Sequence, residues 1–273
     1  MNHNPGIGAT KELSLRVSVA TLVRVLFKNP NDGDRMLALE RKATLHGSEN
    51  GRVVEIKCQP FGGAIRIRDL SIMRTVIDDF HFDSEGSRSE QDFRIFIRPL
   101  DWEIVREFCI EHLSRVDDPV LEADPTRDLA EVFAEALKIN LKPHQCIQKP
   151  VATIVENEAA PTENIRAGGI PTVRVYRIFE AAILESSLAY TIMKNSESIS
   201  REDLCALAFE DAQKGGKGRA SAILALPLKH ISDHYLAITP DQRNMPILFD
   251  KNQLEETVPA VLEGIIMPKY QRL

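Results

Sequence analysis

The residues with the clearest chemical potential are charged side chains gathered at helical or loop spacing. Asp124, Asp128, Glu131 and Glu135 stand at steps of four, three and four, so in a helix they share one face. Such a stripe is either a solvated surface or a row of carboxylate oxygens, the ligands that hard cations take. Lys214-Gly-Gly-Lys-Gly-Arg219 is a basic glycine-rich loop whose amides and charges suit a phosphate. It lacks the Ser or Thr that follows the lysine of a P-loop. It serves equally as a helix stop, with glycine closing the helix and lysine favouring its C-terminus. His230 and His234 have neither the glutamate of a helical zinc motif nor a third ligand, and read as surface histidines. Asp78, Asp79, Asp83 and Glu85 are rich in oxygen but lack EF-hand spacing. Arg94, Arg98 and Arg174 fall in strand-like runs, as anion contacts or as exposed strand arginines. The spacing supports no nucleophile elbow, dinucleotide fingerprint or Cys–His arrangement.

A second signal is conformational. Val53 to Lys57 reads as a strand that runs into Cys58-Gln-Pro-Phe-Gly-Gly-Ala-Ile-Arg66. A glycine pair at a strand end is either a plain loop or a place where a ligand or a second segment approaches the main chain.

The totals bound the class. The chain has 273 residues, 43% hydrophobic and 27% charged, as in an ordinary globular protein of one large or two modest domains. A net charge of -6 gives no global basic field for nucleic acid, and no apolar run is long enough to span a bilayer. Cys58, Cys109, Cys146 and Cys205 are far apart, which argues against a zinc knuckle or disulfide scaffold and for a reducing cytoplasm. Residues 1–10 read as a short disordered lead without a signal-peptide core.

The elements that must position these residues alternate between strand and helix. Strands are expected at 13–27, 35–41 and 53–57, with turns at 29–33 and 44–52. A short helix at 70–77 precedes a polar loop at 81–91. Phe93, Ile95 and Ile97 then form one face of a strand. Asp101 reads as the N-cap of a helix to about residue 115, and Asp124 as the cap of another over 125–139. Residues 141–171, with four prolines, read as a long extended connector that wraps the surface or covers the site. A strand at 172–184, a helix at 187–194 and a capping-box helix from Ser200 to Gly215 follow. The C-terminal part reads as a strand at 220–228, a short helix near Tyr235 and a terminal helix over 254–266.

Taken in order, three pieces resemble the Nudix family. They are the basic strand Leu37-Ala-Leu-Glu-Arg-Lys42, the turn Pro60-Phe-Gly-Gly-Ala64, and Arg127-Asp-Leu-Ala-Glu131, which is similar to the R-E-U-x-E core of the signature helix. The chain departs from the signature in several places. Turn and helix are separated by residues 65–124, Pro119 stands at the first Glu position, Asp128 replaces Glu, and Val132 replaces one of the paired Glu residues. The resemblance implies an α/β fold: a mixed sheet flanked by helices over 11–240, with an insertion at about 68–120 and a C-terminal helical extension at 241–273. It further implies a metal-dependent hydrolase of a nucleoside diphosphate-linked substrate. Glu131 would be catalytic; Asp128, Glu131 and Glu135 would hold Mg or Mn; Arg41, Gly62, Gly63, Arg127 and Lys217 would meet the substrate. The lost Glu pair motivates the alternative, a non-catalytic module that binds a nucleotide-like small molecule, a protein partner or a second copy of itself and has a regulatory role.

Overall fold

The computed structural model describes residues 15–48, 51–115, 117–156, 159–161, 169–228 and 247–249. The N-terminal lead, His230 and His234, the helices expected near Tyr235 and over 254–266, and nearly all of the C-terminal extension lie outside these residues.

The first half comprises β1 (Leu15–Lys28), β2 (Arg35–Ser48), β3 (Gly51–Gln59), β4 (Arg66–Ile67), α1 (Leu70–Val76), β5 (His81–Phe82), α2 (Glu85–Glu90), β6 (Arg94–Ile97) and α3 (Trp102–Leu113). The second comprises β7 (Leu121–Glu122), α4 (Thr126–Leu137), β8 (Cys146–Val155), β9 (Ala160–Pro161), β10 (Pro171–Ile183), α5 (Ser186–Ser198), α6 (Arg201–Gln213), β11 (Arg219–Pro227) and β12 (Ile247–Phe249). Ten of the strands form one mixed sheet in the order β11-β2-β1-β10-β8-β12, with β3, β5, β6 and β9 attached beside this path. Helices flank it, and among the described residues no helix is long and apolar enough to cross a membrane.

Strand β1 organises the sheet. One edge pairs in parallel with β10 from Arg16–Thr172 to Leu26–Ala182. The other edge is served in turn by β2, by the turn Phe61–Ile65 and by β6, all antiparallel. Val17, Val19, Val23 and Val25 alternate with less buried residues and are fully buried, so β1 feeds one core face. That face carries two apolar clusters. Val17, Val19, Ile95, Ile97 and Phe108 belong to one; Val23, Val25, Phe61, Leu129, Phe133 and Phe179 belong to the other.

A polar row divides them, because Thr21 pairs with Arg177 and Arg177 with Thr153 across three strands. Arg177 is fully buried. Its Nη1 donates to Thr153 Oγ1 at 3.0 Å, and its guanidinium lies 5.5 Å from the Phe179 ring centre. Its Nε and Nη2 have no hydrogen-bond partner among the described residues. Burial pulls its pKa down to about 10.

The edge of β11 is closed by α5. Asn195 Oδ1 accepts the Ile223 amide at 2.8 Å, and Ser196 Oγ accepts that of Ala225 at 2.9 Å. These bonds block further strand addition at those amides. Helix α6 starts on the expected capping box, Ser200 with Asp203, and buries Leu204 and Ala208 against Ala43, Ala220 and Ala222.

Several expectations need correction. Strand β2 runs on to Ser48, because from Glu40 onward it leaves β1 and pairs with β3 as a ribbon that tolerates polar residues. The loop expected at 81–91 contains β5 and α2, the latter capped by Ser84 Oγ on the Ser87 amide. The expected connector 141–171 carries β8, a ten-residue strand within the sheet, rather than a surface cover. Pro150 is tolerated there because the register with β10 shifts at Ile178–Phe179. Asp101 stands at the N-cap position of α3 as expected, but it makes no side-chain cap bond; its carboxylate takes Arg98 at 2.8 Å. The region expected as an insertion is woven into the sheet through β6.

Candidate functional site

The glycine turn and the acidic helix meet in space. The Thr21 amide donates to Gly63 O at 2.9 Å and the Val23 amide to Phe61 O at 2.7 Å, which docks the turn along β1. Gly62 has φ +130°, and a Cβ there would lie 2.1 Å from Thr21 O. A Cβ at Gly63 would stand 3.0 Å from the Asp128 carboxylate, to which Thr21 Oγ1 also donates at 3.2 Å. The glycines are thus explained by close approach of β1 on one side and α4 on the other.

The acidic stripe splits in three directions. Asp128 is turned inward to Thr21 and Gly63. Glu131 is two-thirds exposed, and Glu135 lines a separate cleft. Arg127 gathers the near carboxylates: it donates to Glu122 Oε2 at 3.0 Å and to Asp128 Oδ1 at 2.8 Å, and lies 3.8 Å from Glu131 Oε1. Burial alone lowers the Arg127 pKa. Its hydrogen bonds to Asp128 and the charges of Asp128, Glu122 and Glu131 outweigh that, and the net displacement is upward. Among the described residues no group of three His, Cys, Asp or Glu converges as a metal site. Arg41 is engaged elsewhere, its Nη2 donating to Ile199 O and Ser200 O at the start of α6.

The cleft that Glu135 enters has a volume of about 530 Å³. Its walls are Glu135 and Lys138 on α4, Leu207, Glu210 and Asp211 on α6, Lys42 on β2, and Lys214, Lys217, Arg219, Ala220 and Ser221 on the α6–β11 loop and β11. Five cations therefore face three carboxylates. Below Lys42 lies Glu40, 1% exposed, which accepts from Gln59 Nε2 at 2.8 Å and Ser221 Oγ at 3.0 Å, with Lys42 Nζ at 3.4 Å. Lys214 pairs with Glu210. Lys217 and the Arg219 guanidinium make no ion pair among the described residues.

The basic loop is built rather than loose. Asp211 holds it twice, its carbonyl accepting the Gly216 amide at 2.9 Å and its Oδ2 the Arg219 amide at 3.1 Å. Gly216 wraps so closely that a Cβ would lie 2.2 Å from Asp211 Oδ1. Gly218 has φ +66°, gives its carbonyl to the Leu45 amide at 2.7 Å, and leaves only 2.8 Å between a Cβ and Leu45 Cβ. The loop's cations are therefore presented on a fixed backbone, an arrangement that favours anions without a cost for ordering the backbone.

Other sequence candidates are accounted for structurally. Arg94, Arg98 and Arg174 pair with Asp92, Asp101 and Glu156. Asp83 is buried against Arg16 at 2.6 Å. The hollow of about 550 Å³ beside it sets Asp78, Asp79 and Glu85 against Arg74 and Arg88, so it has no excess of cations. Sequence reasoning found the basic loop from Lys214 to Arg219 but not Lys42 and Lys138 as its neighbours across the cleft, since separate elements supply the walls. Comparison of the chain with family models, with curated proteins and with solved structures finds no match.

Proposed function

We propose that this protein is a Nudix-like module that binds a nucleotide-like small molecule through its phosphates, in the cleft between α4, α6 and the 214–219 loop, and regulates without turning it over. One observation carries this: five cations, three of them without an ion pair among the described residues, line the cleft, and three of the five stand on a loop pinned by Asp211. The close approach of Gly63 to Asp128, which brings the glycine turn onto the acidic helix, supports the family resemblance. Arg127, seated among Glu122, Asp128 and Glu131, already supplies the positive charge that a metal would otherwise bring to those carboxylates. Lys217 and Arg219 meet the diphosphate, and the exposed Leu207 offers an apolar surface to the rest of the ligand.

A second reading, the metal-dependent hydrolase, is favoured by the placement of Glu135 in the same cleft, one turn beyond the exposed Glu131. Calorimetric titration of ADP, followed by a phosphate-release assay with Mn²⁺, separates the two. The binding module takes up ADP saturably, releases no phosphate, and loses affinity roughly tenfold in Lys217→Glu. Manganese-dependent release that disappears in Glu131→Gln establishes the hydrolase instead. ADP binding unchanged in Lys217→Glu refutes the cleft.

A further inference from the structure

Helix α4 ends on a residue in a disfavoured conformation. Lys138 is its C-cap, with φ 58° and ψ 35°. This is the left-handed region, which glycine fills freely and a residue with a Cβ occupies at a cost. Closure of the helix requires that geometry, since the Lys138 amide donates to Ala134 O at 3.1 Å, but nothing in the closure requires a lysine. Gln91, the other non-glycine residue at positive φ among the described residues, is tied into a neighbouring strand through its carbonyl, which accepts the Ile67 amide at 2.8 Å. Lys138 is set apart by its side chain instead. It is exposed, lines the cation-rich cleft, and rests its Nζ on the Glu135 carbonyl at 3.0 Å. Rotation about its side-chain bonds frees the ammonium for the cleft without moving the helix.

We propose that Lys138 is a ligand-contacting residue, kept in a strained position because it closes on the phosphate from the α4 wall while Lys217 and Arg219 hold it from the loop. This rests on the phosphate-binding reading of the cleft. Glycine at position 138 therefore relieves strain and removes a contact at once, so stability and affinity move in opposite directions.

The test is calorimetric titration of inorganic pyrophosphate at low salt, with thermal melting, on the wild type, Lys138→Gly and Lys138→Arg. The expected result is that Lys138→Gly melts roughly 1–3 °C higher and binds about fivefold more weakly, while Lys138→Arg keeps the affinity. Pyrophosphate binding by the wild type that is equalled by Lys138→Gly overturns the role of Lys138 and leaves the cleft standing. Absence of wild-type binding overturns the cleft reading beneath it. A lower melting temperature in Lys138→Gly overturns the strain argument.

Discussion

Replacing Arg177 by Met should make this protein more stable. Arg177 is fully enclosed between two apolar clusters, with one hydrogen bond to Thr153 and two donors, Nε and Nη2, left without partners among the described residues. Each unpartnered buried donor costs roughly 1–3 kcal/mol. Against that, the bond to Thr153 and the contact with the Phe179 ring together contribute about 1–2 kcal/mol. Methionine fills similar space with no polar atom. The net gain is about 2 kcal/mol, which in a chain of this size raises Tm by about 4 °C. The effect depends on pH with a definite sign. Burial depresses the folded-state pKa of a cation to about 10, so the penalty is fully present below that value and is relieved as pH rises through it. Urea unfolding at pH 7 and above pH 10, followed by circular dichroism, measures both effects. The Met variant should lead clearly at neutral pH and lose part of that lead at alkaline pH. A variant less stable than the wild type by more than about 1 kcal/mol at neutral pH would refute the reasoning, since it would mean that Arg177 is satisfied in its site.

Three further outcomes follow from the same structure. Gly62→Ala drives a Cβ into Thr21 O at a φ of +130°, and should cost at least about 3 kcal/mol or abolish soluble expression; denaturant midpoints or yield decide this. Asn195→Ala leaves the Ile223 amide and the Ala136 carbonyl without their side-chain partner, and should cost about 1–3 kcal/mol and promote association through the β11 edge, read by unfolding and light scattering. Asp118 is buried, and burial raises its pKa. The Leu121 and Val120 amides together with His112 outweigh that and hold the pKa below the usual carboxylate range. Its contribution is therefore present above the ordinary carboxylate pKa and lost as pH falls through the depressed folded value, so Asp118→Asn should flatten the acid end of a stability–pH curve.

Local features were readable from the sequence and convergent ones were not. Phe93, Ile95 and Ile97 announce β6 by alternation, and Ser200 with Asp203 announces α6 by capping, because both signals act within a few residues. Strand β8 was hidden by Pro150, whose tolerance depends on a bulge against β10 that only pairing reveals. The mixed sheet flanked by helices was legible as a class, while the handover of one β1 edge from β2 to the glycine turn to β6 was not. At the site, helical spacing placed Asp128, Glu131 and Glu135 on one face. Tertiary contacts then turned Asp128 toward Thr21 and tied it to Arg127. Lys217 stood out in its glycine-rich loop. Lys42 and Lys138 look like ordinary surface lysines until α4, α6 and β2 enclose the same cleft.

The central claim is that phosphates are held in the cleft of α4, α6 and the basic loop. Backbone amide chemical shifts recorded during titration of ADP into isotopically labelled protein test it most directly. Saturable changes concentrated at residues 214–221, Lys42 and Lys138 are the expected result. Changes confined to Gly62, Gly63 and residues 127–131 would contradict it and place the ligand on the glycine turn and acidic helix instead.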